Sequence, residues 1–282
     1  MNGEWLVVSD QPPEVLEMKD VDSRVLDTRG MVNGEREELD ALLSMARTAR
    51  AAGATDVEHM DGAAAAFNYI RVADLVSSYY DSVRSSQPVL DWGCGYGQVS
   101  WLLKRRGVNV LSCDAEKRAT IDSIPELTSL PIRYVTDPVR LPYDAESVRA
   151  VLSVGVLEHV PDLRGSLQEI HRVLRDQGLL FLFMFPNRFS WAEWTATRRG
   201  ISAHPLKFTF RQTEALLRQH GFRAQKKWRR NLLPKNLTGL SPGLKSLYGK
   251  YYRQVELADR VLCSLPPVSW FSGVLELIAK KV

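Results

Sequence analysis

Three scarcities in this chain each remove a class of function. Cysteine is the first: Cys94, Cys113 and Cys263 are an odd set without metal-ligand spacing, so neither a disulfide framework nor a zinc site is expected. Long apolar runs are the second. The longest, residues 179–185, stops at Pro186 and falls far short of the ~20 residues that cross a bilayer, so it reads as a buried strand. The third is acidic side chains late in the chain, since residues 215–255 hold ten Lys or Arg and no Asp or Glu. The beginning is the reverse, with eleven acidic and four basic side chains in residues 1–40. Its first stretch, MNGEWLVVSDQPPEV, has neither the basic region nor the apolar core of a signal peptide, so a cytoplasmic location is expected.

What is present is an ordinary globular composition, 45% hydrophobic and 25% charged over 282 residues, enough for one large α/β domain with extensions. Helical patterns at 39–52 and 63–83 are closed by Gly53 and by SSQP. Strand-like runs at 89–92, 108–112, 132–135, 150–154 and 179–185 then alternate with helical patterns at 98–106 and 163–174. Such alternation is the mark of βαβ units and a parallel sheet. A helix at 211–220 and a strand at 222–228 follow, and a last apolar run at 274–279 ends the pattern.

The most informative stretch is VLDWGCGYGQVS, residues 89–100. In an open parallel sheet, ligands bind beyond the carboxyl ends of the strands, and glycines there let the backbone pass close to them. Asp91 stands just ahead of the glycines, where it would repel a pyrophosphate and welcome an ammonium group. Asp114, 21 residues after Gly93, is placed to accept hydrogen bonds from ribose hydroxyls. The spacing is G-x-G-x-G, which disfavours a dinucleotide-dependent oxidoreductase.

With DWGCGYG, LSCDAE, the E-H-V-P-D turn at 158–162 and HPLKFTFRQTEALLRQHGF, the chain resembles the small-molecule branch of the class I S-adenosylmethionine-dependent methyltransferases. The resemblance implies a three-layer, doubly wound, Rossmann-like sheet of seven strands and S-adenosyl-L-methionine as cofactor. It divides the chain into an acidic N-terminal extension, 1–60, and a methyltransferase domain, 61–282. Cap segments are expected at 187–206 and, as a helical insertion between strands six and seven, at 230–272. Gly93, Cys94, Gly95 and Gly97 would lie under the cofactor, Asp91 at its ammonium end, Asp114 at the ribose and Asp137 at the adenine. Ser153 and Val154 would sit beside it, and Tyr69 and Arg71 would cap its carboxylate.

For the transfer itself, His159 is the expected base, with Glu158 beside it and His204 as a second candidate. Quinone-type relatives carry E-x-x-E-H here, with the leading acid tied to a divalent metal; this chain has Gly155 in that place, so no metal is expected. Trp191 and Trp194 with Arg198 and Arg199, and tyrosines among lysines in 223–253, fit an amphiphilic acceptor or an anionic membrane surface. Nucleic acid is disfavoured, and the reading is methylation, at oxygen, of a small or amphiphilic molecule. A catalytically silent cofactor-binding partner protein and an RNA methyltransferase stand as alternatives.

Overall fold

The computed structural model describes residues 32–83, 87–200, 204–235, 237 and 241–282. Most of the acidic stretch 1–40, and residues 201–203 of the first cap segment, lie outside the described residues.

Seven strands form one sheet in the order β3-β2-β1-β4-β5-β7-β6. They are β1 (Val89–Trp92), β2 (Val110–Asp114), β3 (Ile132–Tyr134), β4 (Val148–Val154), β5 (Leu174–Pro186), β6 (Phe222–Arg230) and β7 (Val274–Lys281). β7 runs antiparallel to β5 and β6, and the remaining pairs are parallel. All four residues of β1 are buried, as a central strand covered on both faces requires. Neighbouring residues face opposite layers. Leu152 packs with helices α1 (Val32–Ala51), α2 (Ala63–Val83) and α3 (Gln98–Arg105), whereas Val151 packs with α4 (Leu163–Val173) and α6 (Phe210–Gln219). The short α5 (Trp191–Arg198) lies between β5 and α6. The outcome is the three-layer, doubly wound sheet that the sequence pattern implies.

Several boundaries differ from expectation. β2 begins two residues later than its apolar pattern and so carries Asp114 at its tip. β5 starts at Leu174, directly where α4 ends. The N-terminal helix packs onto the domain, with Leu42, Met45 and Ala49 fully buried in the core shared with the sheet. Arg106 fixes it there, donating to both oxygens of Glu38 at 2.7 Å and to Asp74 at 2.6 Å.

Between β6 and β7 come α7 (Pro242–Lys250) and α8 (Tyr252–Ser264). Buried charge holds this insertion down. Asp259 accepts from the Asn231 and Leu233 amides at 2.9 and 2.7 Å, and Glu256 pairs with Lys235 at 2.7 Å. On β7, fully buried Glu276 receives the Arg71 guanidinium at 2.6 Å and the Trp228 indole N–H.

Removing one partner of a buried ion pair leaves an uncompensated charge. Arg71→Met should therefore cost about 3–5 kcal/mol of stability in denaturant unfolding, and Arg71→Met combined with Glu276→Leu should recover most of it. A loss under about 1 kcal/mol for the single variant would show the pair to be incidental.

Candidate active site

After Trp92 the chain turns into α3 with Gly93, Gly95 and Gly97 at φ 66, 59 and 86°, a region where a side chain is strained. The three glycines serve different needs. A Cβ at residue 93 would lie 2.5 Å from Val156 Cγ1, and one at residue 97 would lie 2.4 Å from Leu130 Cδ2. Gly95 alone would meet nothing within 4 Å. Gly93 and Gly97 are bare so that the protein can pack against them, and Gly95 is the glycine that faces open space.

Asp114 locks this turn. The Gly95 amide donates to Oδ2 at 2.7 Å and the Glu116 amide to Oδ1 at 3.0 Å, and each oxygen keeps a lone pair. Asp114, Gly93, Val135 and His159 border a cavity of about 280 Å³. Asp91 lies beneath the turn, 2% exposed. Ser100 Oγ donates to it at 2.6 Å and Ser112 Oγ stands 2.7 Å from Ser100. Burial pushes the Asp91 carboxyl up to about 6; the Ser100 hydrogen bonds oppose that and the Asp114 charge adds to it. Cys94 is buried, with its amide bound to the Cys113 carbonyl. Ser153, fully buried opposite Trp92, has no partner for its hydroxyl, and half-buried Val154 follows it.

Three expected cofactor contacts are each tied to partners within the protein. Asp137 is exposed and accepts from the Val139 and Arg140 amides at 2.9 and 3.2 Å; it closes its own turn, which draws its carboxyl below the usual range. Arg71 is committed to Glu276. Tyr69 is buried against α3, hydrogen-bonded to Gln98. A larger cavity, about 530 Å³, opens beside β6 among Arg71, Lys227, Arg229 and Arg260. It shares no lining residue with the smaller one, so we place the chemistry where Asp114 and His159 meet.

Beyond β4, Glu158 and His159 meet His204, which arrives from the first cap segment. The imidazole centroids are 5.4 Å apart, and one donor atom from each of the three residues lies within 4.8 Å of the others. Burial pushes the Glu158 carboxyl up to about 8. Burial, and then the neighbouring His204, hold His159 below the usual histidine range. His204 Nδ1 sits 2.7 Å from Glu193 Oε1, and Lys207 pairs with Glu193 at 3.1 Å. Glu193 is the residue that sequence reasoning missed. Its one local signal is the S-x-x-E start of α5, where Ser190 caps the Glu193 amide, and that pattern predicts a helix and no histidine partner.

The turn fits a nucleoside cofactor: open space over Gly95, a fixed carboxylate at the tip of β2, and an unpartnered hydroxyl at the end of β4. Residues 90–182 match the family model described as a methyltransferase domain. Over these residues the chain is similar to the class I S-adenosylmethionine-dependent methyltransferases. The chain is 32% identical over 117 residues to arginine-hydroxylase NDUFAF5, mitochondrial, of Rattus norvegicus, a match covering 41% of the chain and 33% of that relative. It is 37% identical over 98 residues to the uncharacterized methyltransferase YodH of Bacillus subtilis (strain 168), covering 33% of the chain and 41% of that relative. The matches thus span less than half the length of either relative. In fold it is similar to geranyl diphosphate methyltransferase solved with GPP and sinefungin, with TM-score 0.50 and 16% identity over 75% of this chain and 77% of that one.

Asp91 supplies a pH test of the site. A carboxyl raised from 3.8 to about 6 on folding stabilises fully below the unfolded value and loses that stability as pH rises through about 6. Asp91→Asn should therefore raise the stability of the cofactor-free protein at pH 7.5 by about 3 kcal/mol, raise it little at pH 4, and weaken S-adenosylmethionine binding. Equal stability at pH 7.5 would mean that the carboxylate is not strained by burial.

Proposed function

We propose that this protein moves the methyl group of S-adenosylmethionine to a hydroxyl oxygen of a small or amphiphilic acceptor seated beside α5 and His204. The observation that carries the reading is the meeting of His159, His204 and buried Glu158 at the edge of the cavity whose other side is Asp114 and Gly93. Bound S-adenosylmethionine supplies an electrophilic methyl on a sulfonium sulfur. Asp114 then accepts from the ribose hydroxyls, and Asp91 offers negative charge below the turn. His159, unprotonated at neutral pH because its pKa is lowered, takes the acceptor's proton. His204, held by Glu193, completes the wall on the acceptor side.

The amphiphilic character of the acceptor is supported by the outer face of the caps. Leu257 and Val261 on α8 and Leu265 at its C-cap form an exposed stripe at helical spacing, and Leu247, Trp270, Phe271 and Trp194 also stand more than half exposed. Arg198 lies over the Trp194 ring at 3.9 Å, and Lys250 over Tyr251 at 5.3 Å. Apolar side chains ringed by cations fit an anionic bilayer surface. Contact would then involve α7, α8 and residues 265–271, a wider face than 223–253. Among the described residues no helix is long and apolar enough to cross a membrane.

A second reading has one observation behind it. The Rattus norvegicus relative is named a hydroxylase, so a member of this fold need not transfer methyl groups. Incubation with methyl-labelled cofactor and a fractionated cell extract separates the two. Label entering the organic phase supports an amphiphilic acceptor, whereas bound cofactor without transferred label overturns methyl transfer.

Two variants test the assigned roles. Asp114→Ala should weaken cofactor binding by calorimetry at least tenfold, about 1.4 kcal/mol, while unfolding stays cooperative; unchanged affinity would remove Asp114 from the site. His159→Ala should lower turnover about 100-fold or more with cofactor affinity little altered, and an equally active variant would move proton removal elsewhere.

A further inference from the structure

The expectation of no metal followed from Gly155 standing where the quinone-type relatives carry a leading acid. The fold brings a different third donor to the same place, because residue 204 of the cap segment folds back over the end of β4. We propose that Glu158, His159 and His204 bind a divalent transition-metal ion, leaving a coordination position open toward the cavity for the acceptor oxygen.

Geometry supports the site first. The three donor atoms lie within 4.8 Å of one another, and metal–ligand bonds of about 2.1 Å in a tetrahedral site require about 3.4 Å between donors, so rotamer adjustment closes the set. Glu158 adds independent support: it is 1% exposed and its Oε2 has no hydrogen-bond partner. Buried polar atoms are nearly always paired, and a cation is a partner this carboxylate would accept. The third support is the outer shell. Glu193 Oε1 stands 2.7 Å from Nδ1 of His204 and Lys207 pairs with the same carboxylate, which leaves Nε2 as the ring nitrogen not engaged by Glu193. Carboxylate–histidine pairs of this kind orient metal-binding imidazoles. Two imidazoles with one carboxylate select zinc, iron, cobalt or nickel over magnesium and calcium, which prefer all-oxygen shells. His159, exposed and on the cavity wall, keeps one side of the ion open.

Metal binding stands on these residues alone. Its use in polarising the acceptor hydroxyl rests on the methyl-transfer reading, and it recasts His159 from free base to ligand.

The test is titration of the chelator-treated full-length protein with Co²⁺, followed by the visible absorption that cobalt gains in nitrogen and oxygen coordination. One equivalent should bind. His204→Ala and Glu158→Gln should each weaken binding at least tenfold, and Glu193→Gln by about tenfold, with S-adenosylmethionine affinity little changed. Glu193→Gln keeps the side chain's size, so it decides the matter if His204→Ala fails to fold. Absence of the cobalt spectrum in the unaltered protein, or equal affinity in the variants, overturns the site. Label transfer that survives chelation without cobalt binding removes the metal and keeps methyl transfer; cobalt bound without label transfer does the opposite.

Discussion

The hydrogen bond from the Gly95 amide to Asp114, 2.7 Å long, is the constraint on which the site depends. It joins the turn after β1 to the tip of β2, and it requires residue 95 at φ 59°, which glycine adopts without strain. Strand register delivers the acceptor: Asp91 pairs with Ser112 and Trp92 with Cys113, so Asp114 emerges level with the first glycine. Under the turn, Ser112, Ser100 and Asp91 continue the polar chain in the opposite direction. The turn is thereby held between two carboxylates, and the Asp114 charge adds to the burial that raises the Asp91 carboxyl. A cationic ligand relieves both, and the raised Asp91 carboxyl marks a site prepared for one.

The parts of this arrangement that are local in the chain are legible in the sequence. Glycine spacing, the carboxylate ahead of it and the acidic residue after β2 follow from single segments, and alternation of apolar runs with helical patterns gives the layers. What depends on distant segments is not legible. Arg71 reads as a free cation near the cofactor because Glu276, its partner, comes 205 positions later. Asp137 reads as an adenine contact although the Asx turn it makes with Val139 and Arg140 equally suits an Asp before Pro138. Gly97 reads as a cofactor contact because periodicity cannot say that Leu130 fills the space above it, nor that Gly93, on the cavity wall, also makes room for Val156. His204 gains its place only when the cap folds, so neither its approach to His159 nor its tie to Glu193 is written in any window of residues.

That cap couples the inside of the site to its outside. Asn187 anchors it at one end, donating to the Trp270 and Ser272 carbonyls at 2.8 Å, and the Trp191 indole donates to the Leu232 carbonyl at 2.7 Å. The first cap segment is therefore fastened to the second at both points. From this one fastened piece Trp194 projects outward at 56% exposure, Glu193 turns inward to His204, and His204 faces His159. Neighbouring residues on α5 so divide between surface and site. Under the proposed reading, an amphiphile bound at Trp194, Trp270 and Phe271 would lie on the same helix, α5, that carries Glu193 to the His204 imidazole. The proposed acceptor would then meet the histidines with its polar end while its apolar part lies among the aromatics, which is the order an amphiphile requires.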